Sequence, residues 1–249
     1  MSRQLSLVED LARARPSDEP RLVVRRSRRA RRLTLKVVPP YRIELVVPGR
    51  VGAGTVEAFL DANRGWIRRA VDDLKARYPA ERRALPTEVR LRAIDRRWFI
   101  ELSRVPSGRT SLRERGERLE ISVPERDDDA AFELLRRWLL AQGREHLKPW
   151  LAGEASRLGL RPKRVAVRTQ RTRWGSCSQA GNINLNAALL LLPAAQVRYL
   201  LVHELCHLRH LNHSARYWEL VERYEPDFRA LDRALAAAWR ELPIWALPR

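Results

Sequence analysis

The chain has 249 residues, a mass of 29.0 kDa and 45% hydrophobic residues, which supports one large or two small globular domains and excludes a wholly disordered chain. The longest apolar run, Ala187 to Leu192, is far shorter than the roughly 18–20 residues that cross a bilayer, so we expect no membrane span. Two cysteines, Cys177 and Cys206, exclude a disulfide framework, and no signal peptide is visible. We therefore expect a cytoplasmic protein.

The charge balance is strongly positive, with 49 Lys and Arg residues against 30 Asp and Glu residues and a formal net charge of +19. Such a balance is typical of proteins that bind nucleic acid. Only four of the 49 cations are lysine, and this bias toward arginine is equally typical of codon usage in a GC-rich genome. The composition therefore leaves open both a nucleic-acid partner and a basic surface without one.

The first half of the chain is predicted to be rich in β-structure, after a flexible tail over residues 1–20. Residues 21–47 alternate β-branched and polar side chains between proline and glycine turns, which predicts two or three strands. Apolar residues at helical spacing predict one helix over residues 55–78, and β alternation returns over residues 89–123. We take residues 21–127 as one β-rich N-terminal region that contains one helix.

The second half, residues 128–249, is predicted to be mostly helical. Helical spacing continues to Leu158, short β segments follow up to Asn186, and the chain from Pro193 onward has the pattern of helices. The predicted fold class is therefore α+β, with a β-rich N-terminal half and a mostly helical C-terminal half that carries the candidate site.

Four of the five histidines lie within eleven residues, from His203 to His213. On the helix that is predicted to begin near Pro193, His203 and His207 are one turn apart, so both imidazoles can bind one metal ion. Glu204 projects about 100° round the helix from His203, near the metal but free to act as a base. This H-E-x-x-H spacing predicts a zinc site with a catalytic carboxylate.

A catalytic zinc ion usually has three protein ligands and leaves one position for water. His213 is the preferred third ligand, because six residues after His207 allow the helix to end and the chain to turn back. Glu219 and Glu222 on the following helix are the alternatives. His210 is expected to lie too far along the helix axis to join the ligands, either behind them or facing solvent.

Several motifs together resemble a known family. They are residues 171–178 (RTRWGSCS), 181–186 (GNINLN), 203–208 (HELCHL) and 212–218 (NHSARYW). In these motifs the chain is similar to the YgjP-like zincin metallopeptidases, and it is more distantly similar to SprT-like proteases, which act on DNA-bound proteins. The resemblance implies a zincin-like C-terminal region, the ligands His203, His207 and His213, and a catalytic Glu204.

Two further segments are candidates for substrate binding. Residues 181–186 are predicted to form an edge strand beside the active-site helix, with Asn182, Asn184 and Asn186 facing away from the core, so that an extended peptide could pair with it. The alternative is an ordinary half-buried strand. Arg173 is a candidate for stabilising the oxyanion or binding a substrate carboxylate, and its alternative role is to pack a structural turn.

The sequence as a whole predicts a zinc-dependent metallopeptidase with one Zn²⁺ per chain and a peptide or protein substrate. One alternative is a nucleic-acid-associated protein, with a structural zinc or with protease activity on DNA-bound proteins. The run of arginines from Arg25 to Arg32 motivates this alternative. A third interpretation is a metallohydrolase that cleaves bonds other than peptide bonds. No membrane partner is expected.

Overall fold

The computed structural model describes five stretches of the chain, residues 21–38, 42–77, 84–106, 110–125 and 127–247. The chain forms two compact units, one ending at Ala84 and the other running from Leu85 to Pro248. The proposed boundary between residues 127 and 128 falls inside the second unit, and the proposed tail lies outside the described residues. The predicted α+β class is confirmed, with strands concentrated in the first half and helices in the second.

The first unit contains a three-stranded sheet and two helices. Strands β1 (Arg21–Ser27) and β2 (Thr34–Val38) flank β3 (Arg42–Pro48). Strand β1 is parallel to β3, whereas β2 is antiparallel to it. The helices are α1 (Ala53–Ala62) and α2 (Arg64–Arg77).

The single helix expected in this region is divided in two at Asn63. The Asn63 side chain donates a hydrogen bond of 2.7 Å to the Phe59 carbonyl, and its backbone N–H donates to the Leu60 carbonyl. A side-chain amide that binds a backbone carbonyl competes with the helical hydrogen bonds and favours a helix end. Helix α1 still contributes to the core of this unit, where Leu60 packs with Leu45 and Val47.

The second unit begins with a four-stranded sheet in the order β4-β5-β7-β6. These strands are β4 (Glu88–Leu91), β5 (Arg96–Val105), β6 (Ser111–Arg115) and β7 (Arg118–Pro124). The alternation seen in the sequence is confirmed in β7, where Leu119, Ile121 and Val123 are buried. Gly116 has a φ of +58°, a left-handed conformation that suits the tight turn between β6 and β7.

A long helix, α3 (Asp128–Leu158), packs against this sheet. It begins where the Asp127 carboxylate accepts a hydrogen bond from the Ala130 N–H, and it ends at Gly159, which has a φ of +65°. Glu114 on β6 accepts hydrogen bonds from the indoles of Trp98 and Trp138, which fastens the sheet to the helix. None of the described helices is both long and apolar enough to cross a membrane.

A second small sheet lies beside the helices that carry the candidate site. Its strands are β8 (Arg164–Arg168), β9 (Gly175–Cys177) and β10 (Asn182–Asn186), in the order β8-β10-β9. The prediction that residues 181–186 form an edge strand is therefore wrong. Strand β10 is the middle strand because β8 pairs with one side and β9 with the other, so its backbone is already paired on both sides.

The remaining elements are helical. A 3₁₀ turn, Ala187–Leu191, leads into α4 (Ala194–Cys206), and α5 (Ala215–Tyr224) and α6 (Phe228–Ala238) follow. A last 3₁₀ turn covers Ile244–Ala246. Helix α4 is surrounded by its neighbours, since it contacts α3, α5, α6 and β9. The buried residues of α4 are therefore held by packing from several directions.

Candidate metal centre and active site

Helix α4 fixes the first part of the H-E-x-x-H motif. It starts directly after Pro193, and Val197, Leu201 and Leu205 on it are fully buried, which anchors the helix in the core. The regular helix ends at Cys206, and His207 follows with helical φ and ψ of −63° and −17°. His207 therefore keeps the one-turn spacing from His203 although the chain turns away immediately afterwards.

The structure brings together the imidazoles of His203, His207 and His213. One ligand nitrogen from each ring lies within 4.8 Å of the others. Among the residues that the structure describes, this is the one group of three or more His, Cys, Asp or Glu side chains that could hold a metal ion. The Nε2 atoms of His203 and His213 are 3.3 Å apart. Two nitrogens that bind one tetrahedral zinc ion at about 2.0–2.1 Å lie about 3.3 Å apart, so the separation fits a shared metal ion.

The alternative third ligands do not join this group. Glu219 and Glu222 are exposed on α5, and Glu222 accepts a hydrogen bond of 2.9 Å from Arg229. His210 does not contribute a ring nitrogen to the group either. Its backbone carbonyl instead lies 3.1 Å from Nδ1 of His207, so it stands behind a candidate ligand.

Hydrogen bonds behind two of the histidines determine which nitrogen carries a proton. The His210 carbonyl can only accept, so His207 donates from Nδ1 and keeps a lone pair on Nε2. Nδ1 of His203 lies 3.3 Å from the Tyr199 hydroxyl, which donates its own proton to Asp232 Oδ1 at 2.7 Å. The hydroxyl therefore accepts from Nδ1 of His203, and Nε2 is again the free lone pair. Both tautomers are those that a metal requires.

The environment also keeps these imidazoles neutral. Burial, followed by the neighbouring His207 and His213, lowers the pKa of His203 to about 3. Burial also lowers the pKa of His207, an effect that the His210 carbonyl partly opposes. Because only the neutral imidazole binds a metal ion, at least two of the three rings are ready to bind at neutral pH without losing a proton.

Aromatic residues of α5 hold the rings in place. Tyr217 stacks on His207 with centroids 4.5 Å apart, and its hydroxyl donates to the His203 carbonyl at 3.1 Å. Trp218 stacks on His213 with centroids 5.3 Å apart. Our sequence analysis assigned these residues no role at the site, although the four-residue spacing between His213 and Tyr217 in a shared motif is a signal that could have indicated one.

Glu204 lies next to the histidines with its side chain turned into the protein. The residue is only 4% exposed, and among the described residues no partner lies within hydrogen-bond distance of Oε2. Burial raises the pKa of Glu204 to about 8, and the positive charge of Arg173 acts in the opposite direction. A raised pKa means that this carboxyl group holds a proton more strongly than an exposed one does, which is typical of general acid–base residues.

Gly175 on β9 makes room for that carboxyl group. A Cβ atom at residue 175 would lie 2.5 Å from Oε1 of Glu204 and 2.9 Å from its Cδ. The carboxyl group thus packs directly against the backbone of β9. Gly175 belongs to one of the motifs of the sequence, but no role was predicted for it. The contact between Gly175 and Glu204 joins residues 29 positions apart, and no local sequence pattern indicates such a contact.

The candidate substrate residues are placed in different ways. Arg173 is exposed, and its charge acts on Glu204 as described above. Asn186 is buried and donates to the carbonyls of Gln170 and Arg173, which holds the loop before β9. Asn184 accepts from Arg168, and Asn182 is half-buried, with its backbone in hydrogen bonds to Ser178.

The two cysteines lie near the site but outside the ligand group. Burial, followed by the Glu204 charge, raises the pKa of Cys177 to about 11, and burial raises the pKa of Cys206 to about 12. Neither thiol belongs to the group of candidate metal ligands. The donor set of the site consists of imidazoles.

Comparisons with known proteins identify the family to which the chain belongs. The family model "YgjP-like, metallopeptidase domain" matches residues 31–238. The chain is also similar to a solved structure, the metallopeptidase zymogen of Pyrococcus abyssi abylysin, with 28% identity over 37% of this chain and 95% of that chain and a TM-score of 0.34. No curated protein matches. The resemblance inferred from the motifs is confirmed, and the chain belongs to the YgjP-like metallopeptidase family.

Proposed function

We propose that this metallopeptidase uses one zinc ion, held by His203, His207 and His213, and that Glu204 is its general base. The observation that carries the proposal is the arrangement of the four side chains. Three imidazole nitrogens lie within 4.8 Å of one another, and the residue after His203, Glu204, has a buried carboxyl oxygen without a hydrogen-bond partner among the described residues. Three neutral nitrogen ligands with a remaining open position are typical of catalytic zinc.

In this proposal, bound zinc would polarise the scissile carbonyl and lower the pKa of the water molecule that attacks it. Glu204 accepts one proton from the attacking water at its carboxylate and delivers it to the leaving amine as the C–N bond breaks. The low-polarity surroundings of Glu204, which raise its pKa, favour this uptake. Tyr199 and the His210 carbonyl hold Nδ1 of two ligands, so the rings keep their orientation.

Strand β9, rather than β10, is our candidate for binding an extended substrate. It is an edge strand of its sheet, it contacts the active-site helix, and Gly175 on it touches Glu204. A peptide that pairs with an exposed strand edge is held by backbone hydrogen bonds that do not depend on its sequence. Arg173, two residues before β9, is then suitably placed to bind a substrate carboxylate or the oxyanion.

The test combines elemental analysis with peptide hydrolysis in three proteins: wild type, Glu204→Gln and His213→Ala. We expect about one zinc per chain in the wild type and in Glu204→Gln, because glutamine changes no ligand. Glu204→Gln should lose turnover by a factor of about 10²–10⁴, and His213→Ala should lose most of the metal.

Three outcomes would contradict the proposal. Undiminished hydrolysis by Glu204→Gln would remove the assigned base. Full zinc content in His213→Ala would return Glu219 or Glu222 to consideration as the third ligand. Hydrolysis of esters or other amides without any turnover of peptides would favour the third interpretation of the sequence, a metallohydrolase that acts on other bonds.

A further inference from the structure

A dense group of exposed arginines lies at one end of the sheet in the first unit. We call residues Arg25 to Arg32 the arginine loop. Six of its eight residues are arginine, and all six are exposed. The loop covers the end of β1 and the connection to β2. Because β1 and β2 lie on opposite sides of β3, this connection crosses the end of β3.

The arginine loop has no acidic partner in the part of the chain that the structure describes. On β3, the residues in register with Arg25, Arg26 and Ser27 are Val46, Val47 and Pro48, none of which carries a charge. One backbone contact occurs, from Arg26 to the Val51 carbonyl at 3.4 Å.

Other exposed arginines of this protein do find acidic partners. Arg64 pairs with Asp61 at 2.7 Å, and Arg118 pairs with Glu101 at 2.7 Å. The absence of such pairs in the arginine loop therefore does not follow from exposure alone. Six neighbouring guanidinium groups repel one another, and a polyanion that neutralises several of them at once is a favourable partner.

We propose that the arginine loop binds the phosphate backbone of a nucleic acid, an interaction separate from the peptidase site. Guanidinium groups bind phosphate oxygens through paired hydrogen bonds. Eight residues span at most about 28 Å, and duplex DNA carries one charge per about 1.7 Å of its axis, so several phosphates lie within reach of the loop. DNA and RNA share this chemistry, and the experiment separates them.

The composition of the loop favours nucleic acid over a membrane surface. Basic segments that bind membranes combine their charge with apolar side chains that enter the lipid. Inside the arginine loop the apolar residue is Ala30, which is half-buried, and Leu33 just after the loop packs on the core of the unit. Val24 is an exposed aliphatic residue, but it lies on β1 before the arginine loop begins. The loop thus offers charge without an apolar anchor.

The test measures binding of the full-length protein to fluorescein-labelled duplex DNA and single-stranded RNA of about 20 nucleotides, across a salt series from about 50 to 200 mM. The loop variant carries Arg28→Gln, Arg29→Gln, Arg31→Gln and Arg32→Gln. The control variant loses the same charge from exposed arginines of the second unit and carries Arg137→Gln, Arg144→Gln, Arg161→Gln and Arg223→Gln. Far-UV circular dichroism checks that both variants fold.

We expect the wild type to bind at least one of the two polymers at low salt, with affinity that falls steeply as salt rises. In the loop variant, affinity should fall about tenfold or more, and the slope of log affinity against log salt should decrease by about three. The control variant should retain most of the affinity. No wild-type binding to either polymer at low salt, or an equal loss in both variants, would overturn the proposal.

Discussion

The carboxyl group of Glu204 occupies space that a side chain at residue 175 would otherwise fill. Its Oε1 would lie 2.5 Å from a Cβ atom at that position, a distance that no two such atoms tolerate. The φ of Gly175 is not positive, so glycine is required there for space and not for backbone conformation. The position of the proposed base is thus determined by β9 as well as by its own helix.

Gly175→Ala therefore tests whether the position of this carboxyl group matters for catalysis. The added methyl group must displace Glu204, and a displacement of about 1 Å at a catalytic group can reduce turnover about 100-fold. The three histidines are not touched, so zinc content should remain at the wild-type value. Peptide turnover and elemental analysis of the same sample measure the two quantities.

A matched control is Gly153→Ala on the exposed side of α3, where an added Cβ meets nothing within 4 Å. This variant should keep full activity and gain about 0.5–1 kcal/mol in its free energy of unfolding, because alanine is the better helix former. Equal activity in the two variants would show that the contact between Gly175 and Glu204 has no catalytic importance.

At the scale of elements, the Tyr199 hydroxyl connects α4 to α6 behind the candidate metal centre. Tyr199 on α4 is fully buried, and its hydroxyl lies between Nδ1 of His203 and the carboxylate of Asp232 on α6. Burial, followed by the hydrogen bond to Asp232, raises the pKa of Tyr199 above its ordinary value. The hydroxyl therefore keeps its proton and continues to orient His203.

Tyr199→Phe should weaken zinc binding while the fold is retained. The ring still fills its site, but Nδ1 of His203 loses its acceptor, and loss of such a partner typically costs 10–100-fold in metal affinity. Competition with a chelator of known affinity measures the change. Tyr224→Phe on α5, whose ring contacts Arg157 and not a candidate ligand, should bind zinc as the wild type does. An unchanged affinity in Tyr199→Phe would mean that the hydroxyl does not orient the ligand.

Local sequence patterns predict the strands and helices themselves better than they predict which elements lie beside each of them. The alternation in residues 182–186 correctly indicates a strand with Ile183 and Leu185 in the core, whereas the expectation that Asn186 faces away from the core is wrong, because Asn186 is buried. Alternation reports which face of a strand is buried, however, and contains no information about which strands pair with its edges. Hence the edge position predicted for β10 is wrong, while the short β9, which has no alternating pattern to detect, is an edge strand.

At the candidate site, too, contacts between residues close in the sequence are predictable, whereas contacts between distant residues are not. The spacing of His203, Glu204 and His207 is a helical pattern, so their convergence follows from helix geometry. The approach of His213 required only a nearby turn. By contrast, the contacts of Glu204 with Gly175 and of Tyr199 with Asp232 bridge 29 and 33 residues, and only the packed tertiary structure brings such residues together.

On the scale of the whole molecule, the aromatic residues are unequally shared between the two units. Seven of the eight tryptophans lie after Leu85, and Trp66 alone belongs to the first unit. Trp174 and Trp218 in the second unit lie close to the site, since Trp174 precedes Gly175 and Trp218 stacks on His213. Intrinsic fluorescence therefore reports chiefly on unfolding of the second unit.

This distribution allows a test of whether the metal stabilises the unit that holds its ligands. A ligand that binds only the folded state at about 100 times its Kd adds about 2.7 kcal/mol of stability, and for a unit of this size that raises the melting temperature by about 5–10 °C. Removing zinc with a chelator should lower the fluorescence-detected melting temperature by this amount, and added zinc should restore it. His213→Ala should melt at one temperature with or without zinc. A zinc-dependent shift that survives in His213→Ala would place the stabilising metal elsewhere in the chain.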